Sequence, residues 1–233
     1  MSELSPLWIS IKTAVTATFI VFFIGIAVAW FMASYKGRAR GIIDGILTLP
    51  MVLPPTVVGF ILLVIIGKNF PLGKLLNRFG VTLIFTWYAT VIAATVVAFP
   101  LMYRTCVGAF RQIDINVINA ARTLGVSEWK IFWKVAVPLA WPGIAAGTVL
   151  AFARALGEFG ATMMIAGSIP GKTQTIPIAI YFSVASGETG NAVKWVILIF
   201  IISLTVMVVS DNWNEKQGFL VSSARRKKLW DWK

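Results

Sequence analysis

The chain has 233 residues, 58% of them hydrophobic and 13% charged, with a formal net charge of +12. Its long apolar runs read as one membrane domain, too short to hold a soluble catalytic domain as well. With no histidine and the single cysteine Cys106, histidine acid–base chemistry, zinc sites and intramolecular disulfides are excluded, and neither catalytic nor metal-ligating residues are expected.

The basicity does not point to nucleic acid. Lys36, Arg38, Arg40, Arg104, Arg111, Arg122, Lys130, Lys134, Lys216, Arg225, Arg226, Lys227, Lys228 and Lys233 fall in alternate loops or the C-terminal tail. That alternation is the positive-inside pattern and sets a topology.

Taken in order, the residues before Ile9 include Glu3 and no basic run, so no cleaved signal peptide is expected. Ile9 to about Ala33 spans, ending at the cytoplasmic Lys36, Arg38 and Arg40. The second span, Gly41 to about Ile66, is interrupted by Pro50, Pro54 and Pro55. Interior prolines lose backbone hydrogen bonds, so the span reads either as kinked or as broken, with a half-helix starting near Thr56 whose N-terminal end faces the interior of the protein. Residues 67–81 form an outer loop whose Lys68, Lys74 and Arg78 run against the positive-inside rule. They read as ordinary loop charge or as an anion-attracting docking surface. Leu83 to about Val107 spans back inward.

Residues 114–138 are a charged interruption that organises the rest. Asp114 can cap a short helix on which Val117, Ala120, Ala121 and Leu124 recur at helical spacing, and Gly125 stands where a left-handed residue is wanted. Ser127 can cap a second helix with an apolar stripe of Trp129, Phe132, Trp133 and Ala136, and Pro138 then opens the next apolar run. The plain alternative is an amphipathic loop lying on the membrane surface.

The fourth span, Pro138 to about Leu156, carries Gly143, Gly147, Ala151 and Ala155, a small-residue ladder suited to close helix packing. Arg154 and Glu158 stand four apart near its outer end, as a structural ion pair or a substrate contact. Residues 157–190 are punctuated by glycine and proline and read as a re-entrant outer segment lining a cavity. Within it, Gly167–Thr173 resembles a P-loop but has three residues between its glycines where four are needed, and no strand precedes it. ATP is therefore not expected on this chain. Ala192 to about Ser210 is the last span. Residues 1–211 thus form the transmembrane domain, and 212–233 a basic, tryptophan-bearing tail suited to the headgroup interface.

The expected architecture is an all-α polytopic membrane protein of about five transmembrane helices, with the N-terminus outside and the C-terminus in the cytoplasm. Ala120-Ala121, Gly125, Val135 and Val137-Pro138 resemble the E-A-A-x3-G-x9-I-x-L-P loop of ABC importer permeases, with Asn119 in place of the glutamate and valines in place of the isoleucine and leucine. The resemblance implies that Asn119, Ala120, Ala121, Leu124, Gly125, Trp129 and Pro138 couple the chain to an ATPase, and that the first helix inserts into an ATPase cleft. Ala151–Tyr181, Leu49–Phe60 and Ala120–Gly125 together resemble permeases of the molybdate/sulfate branch, nearest to the molybdate members.

That resemblance implies a prokaryotic inner-membrane importer of a tetrahedral oxyanion. Molybdate is the first expectation, with tungstate, sulfate or thiosulfate as alternatives, and an ATPase-independent channel or secondary transporter lies further off. It also implies a homodimer, two ATPase subunits carrying ATP and Mg, and an external oxyanion-binding protein. A dianion crossing hydrocarbon needs a hydrated, dipole-lined path. Pro54, Pro55, Thr56, Glu158, Thr173 and Thr175, with half-helix N-termini near Pro55 and Pro177, are the candidate lining.

Overall fold

The computed structural model describes residues 4–230, with side chains through Val209 apart from Pro71. In chain order its helices are α1 (Ser5–Ser34), α2 (Arg40–Val52), α3 (Pro55–Ile66), α4 (Pro71–Arg78), α5 (Trp87–Arg111), α6 (Ile115–Thr123), α7 (Glu128–Ile131), a π turn (Phe132–Ala136), α8 (Val137–Leu156), α9 (Gly160–Ala166), α10 (Ile176–Ala185) and α11 (Thr189–Trp230). Among the described residues, four stretches are long and apolar enough to cross a membrane: α1, α5, the continuous run Glu128–Leu156, and the Thr189–Val209 part of α11. α2 and α3, bent by 114° at their junction, make a fifth if counted as one broken span. The basic stretch 212–233, expected as an interfacial tail, lies outside the described side chains.

α5 is the axis. α1 and α8 pack along it, and small residues let the backbones approach closely. A Cβ added at Gly25 would stand 2.7 Å from Met102 Cγ, and one at Gly143 would stand 2.5 Å from Ala109 Cβ. The ladder on α8 therefore serves packing: Gly147 lies against Met102 and Thr105, and Ala151 and Ala155 are buried. Near the start of α5 the contact turns polar, where Thr13 and Thr90 share a 3.0 Å hydrogen bond and Trp87 Nε1 donates to Thr13 Oγ1 at 3.0 Å. Lys12 stands 4.0 Å over the Trp87 ring.

The second span is broken outright and not merely kinked. Leu53 is extended (φ −70°, ψ 143°), as the residue before a proline prefers, and Pro54 follows at φ −53°, ψ 138°. Pro55 then occupies the first turn of α3, where its missing N–H costs nothing. Pro50, expected among the breakers, instead sits inside α2 near its end.

Pro138 stands in the first turn of α8, as expected, but α8 follows α7 and the π turn without a break in the run Glu128–Leu156. Because Pro138 has no N–H to give the carbonyl four residues back, the helix widens beforehand, and Val137 N–H bonds Phe132 O, one residue further along. The second helix of the 114–138 loop is therefore the first turn of a membrane span.

The segment 157–190 is tied to the starts of α5 and α1. Phe85 N–H donates to Ile165 O at 3.0 Å, which sets the end of α9 beside the start of α5. Ile176 N–H then donates to Ser10 Oγ at 2.7 Å, partway down α1. By Ser183 the chain is back at Leu4, where a cavity of about 450 Å³ opens between α1, α10 and α11.

Candidate functional site

Two places stand out: an elbow at the basic end of the bundle, and a junction inside it where two broken helices meet.

The elbow is α6, Gly125 and α7. Asp114 caps α6 by accepting Asn116 N–H at 2.9 Å. At the other end Gly125 has φ +73°, its N–H bonds Arg122 O at 2.9 Å, and Val126 N–H bonds Ala121 O at 3.1 Å. These crossed bonds form a Schellman motif, which consumes two terminal carbonyls of α6 and reverses the chain. Ser127 holds the N-cap position of α7, but its side chain makes no capping hydrogen bond.

The work expected of Ser127 falls to charge. Arg122 Nε and Nη2 donate to the two carboxylate oxygens of Glu128 at 2.7 and 3.1 Å, and Arg122 Nη1 reaches Asn119 Oδ1 at 3.3 Å. This fork ties α6 to α7 across the glycine. The bonds to Glu128 raise the Arg122 guanidinium above its ordinary pKa, so it stays charged. Asn119, at the position of the pattern's glutamate, thus belongs to an internal clasp.

The elbow has a fixed side and an open side. Ile118 is buried, and Ala121 and Val126 pack on the core beneath α6. Val117, Ala120 and Leu124 face outward, with Leu124 82% exposed. The expected stripe of Trp129, Phe132, Trp133 and Ala136 splits likewise. Phe132 and Ala136 are buried, whereas Trp129 (70% exposed) and Trp133 stand out, each pair four residues apart on its own half of the stripe. Ile115, Val117, Leu124 and Trp129 leave apolar surface on a polar loop, the form of a protein-docking face.

The junction lies where α3 and α9 meet, backbone against backbone. A Cβ at Gly59 would stand 2.8 Å from Ala161 Cα, and one at Gly160 would stand 2.9 Å from Pro55 Cβ and 3.2 Å from Thr56 N. The breaks at Pro54–Pro55 and Gly157–Phe159 are therefore close, with Gly160 on Pro55 and Thr56 two residues along from Glu158. Glu158 is 2% exposed. Its Oε1 accepts Ala161 N–H at 2.7 Å and so begins α9, while Oε2 lies 2.8 Å from Arg154 Nη1.

Thr173 and Thr175 lie elsewhere, in the loop before α10. Thr173 is fully buried, accepting Ile169 N–H at 3.0 Å and donating to Gly167 O at 3.3 Å. Its hydroxyl closes its own loop and is not offered to a path. Thr175 is 5% exposed and caps nothing with its side chain, and the first N–H of α10 is already taken by Ser10. The half-helix end near Pro177 is thus closed in this conformation.

A third cluster gave no sequence signal. Tyr103 donates to Asp44 Oδ1 at 2.7 Å, Arg104 Nη2 stands 3.5 Å from Asp44 Oδ2 and 3.4 Å from Thr48 Oγ1, and together they fasten α2 to α5.

A bundle of membrane-crossing helices, with a rigid elbow offering apolar surface at its basic end and paired helix breaks within, defines the membrane component of a transport system and not its catalytic part. Residues 22–216 match the family described as binding-protein-dependent transport system inner membrane component, and the chain belongs to that family. It is similar to YvgM of Bacillus subtilis, 46% identical over 206 residues covering 87% of this chain and 90% of that one. It is also similar to the molybdenum transport system permease protein ModB of Escherichia coli, 40% identical over 209 residues, 88% and 91% of the two chains. In fold it is similar to a chain of the MetNI methionine ABC transporter, with a TM-score of 0.70 at 17% identity over 93% of this chain and 99% of that chain.

Proposed function

We propose that this chain is the membrane-spanning subunit of an ABC importer that moves a tetrahedral oxyanion, molybdate first, by alternating access driven by a separate ATPase. What carries the reading is the elbow: a preorganised helix–glycine–helix that presents Ile115, Val117, Leu124 and Trp129 to a partner at the basic end. A channel or a self-sufficient carrier has no use for such a face. Supporting the cargo assignment is the 40% identity to a permease named for molybdenum transport.

In this reading two copies of the chain enclose the path, and two ATPase subunits holding ATP and Mg receive the elbows through Asn119–Gly125 and Trp129. An oxyanion-binding protein delivers cargo to the opposite end. By the positive-inside rule the elbow is cytoplasmic, the N-terminus outside and the C-terminus inside. The path runs past the junction at Pro54, Pro55, Thr56 and Glu158.

The test is ATP hydrolysis by the purified permease–ATPase complex in lipid nanodiscs, with the binding protein loaded in turn with molybdate, tungstate or sulfate. Stimulation strongest with molybdate is the expected result. Strongest stimulation by sulfate would reassign the cargo, and failure of any ATPase to assemble with the chain would overturn the reading.

A further inference from the structure

Among the described residues, the two arginines that face a glutamate are used in opposite ways. Arg122 is spent, with Nε, Nη1 and Nη2 all engaged in the elbow. Arg154 touches its glutamate through Nη1 alone, and that 2.8 Å contact lacks the alignment of a hydrogen bond. A guanidinium has five N–H donors. Among the described residues those of Arg154 have no other partner, though its side chain is only 30% exposed.

The position makes this costly. Ile165 O accepts Phe85 N–H beside the start of α5, and Arg154 and Glu158 stand at the last turn of α8 and at the break that follows it. A carboxylate only 2% exposed beside an arginine is expensive within a membrane domain and points to a functional site. Glu158 makes no fork on Arg154: its Oε1 accepts Ala161 N–H, and Oε2 is the oxygen that lies against the guanidinium. Nor can the carboxylate move away, since it begins α9, and α9 is held against the break at Pro55 and Thr56 through Gly160. The outcome is a buried carboxylate held in place beside a half-buried guanidinium whose remaining donors have no partner among the described residues.

We infer that Arg154 is the residue of this chain that receives the transported oxyanion at the paired helix breaks, and that Glu158 is its built-in competitor, keeping the contact weak. A tetrahedral oxyanion offers the acceptor oxygens a guanidinium fork binds well. A lone arginine at low dielectric would hold a dianion too firmly for passage. The adjacent carboxylate cancels most of the attraction, so cargo is handed on and not stored. This assignment rests on the oxyanion reading above and adds the residue and the reason for release.

The test is molybdate retained by the purified permease–ATPase complex without binding protein, measured by equilibrium dialysis, beside uptake into proteoliposomes with it. Glu158→Gln keeps the acceptor for Ala161 N–H but removes the competing charge, so retention should rise about tenfold or more and uptake should slow by a similar factor. Arg154→Gln/Glu158→Gln keeps the pair neutral with a polar, shorter side chain at 154, and should retain no molybdate while uptake also falls. Opposite changes in retention with the same loss of uptake are not what a structural ion pair gives.

Wild-type uptake in the double variant, or no gain in retention with Glu158→Gln, overturns the inference. So does loss of assembly in both variants, which would make the pair a folding element. If Glu158→Gln alone fails to assemble, the double variant decides by its uptake. Failure of the oxyanion reading itself is distinct: no oxyanion would then stimulate the wild-type complex.

Discussion

Arg122 and Glu128 close the elbow from opposite sides of Gly125, with Nε–Oε1 at 2.7 Å and Nη2–Oε2 at 3.1 Å. Both side chains are substantially exposed, so the pair adds little to global stability, on the order of 1 kcal/mol or less. Its effect is angular: it fixes how α6 stands relative to the span that begins at α7. Glu128→Ala should weaken ATPase retention by a tagged permease roughly two- to fivefold, the equivalent of such a pair. Arg122→Glu/Glu128→Arg should recover much of it. No recovery in the swapped pair would mean that Arg122 meets the ATPase directly.

Gly125 tests the same elbow through the backbone. A Cβ there meets nothing within 4 Å, so bulk is not at issue, but φ is +73°. Damage should follow left-handed preference, with Gly125→Asn mild, Gly125→Ala intermediate and Gly125→Val severe, the last costing about 1–2 kcal/mol. ATPase retention in detergent, beside membrane levels of the permease, measures it. Equal retention in the valine and glycine forms would remove the left-handed cap from the coupling account.

The junction of the broken spans makes a packing prediction of opposite kind. Gly59→Ala would drive a methyl onto Ala161 Cα at 2.8 Å, and Gly160→Ala onto Pro55 Cβ at 2.9 Å, neither of which is a flexible side-chain tip. Each should cost about 1–3 kcal/mol as overpacking does, seen as a lowered melting temperature of the purified permease. Gly45→Ala, in α2 with open space around it, should be neutral or slightly stabilising. Equal melting of all three would mean that α3 and α9 separate freely.

Orientation can be read with an impermeant thiol reagent in intact cells. Cys106 is fully buried and gives a silent background. Lys74→Cys and Lys172→Cys, both exposed, should be labelled from outside, and Arg38→Cys and Arg111→Cys should be protected. The neighbouring Gly73 is a poor site, because its Cβ would collide with Gly67 O. Labelling of Arg38→Cys together with Lys74→Cys would overturn the five-span topology.

What the sequence determined by itself is local. The spans follow from apolar length, the break from Leu53-Pro54-Pro55, and the elbow from Asp114 and Gly125 bracketing nine helical residues. Each is decided by the chemistry of neighbours in the chain: a missing N–H, a left-handed backbone, a capping carboxylate. Close packing of the α8 ladder was legible for the same reason, since small residues recur at the helical period.

The tertiary structure decided everything that depends on which distant groups meet. Arg122 and Glu128 are six apart, outside helical pairing distance, and only the reversal at Gly125 brings them together. The stripe through Trp129, Phe132, Trp133 and Ala136 divides because only its Phe132–Ala136 half meets the core cluster. Thr173 and the start of α10 looked available as donors until the fold supplied their partners, Ile169 and Gly167 for the one and Ser10 for the other. Whether a polar group is spent or free depends on groups far along the chain. No local pattern records it, and it is what separates Arg122, closed within the elbow, from Arg154, open beside the break.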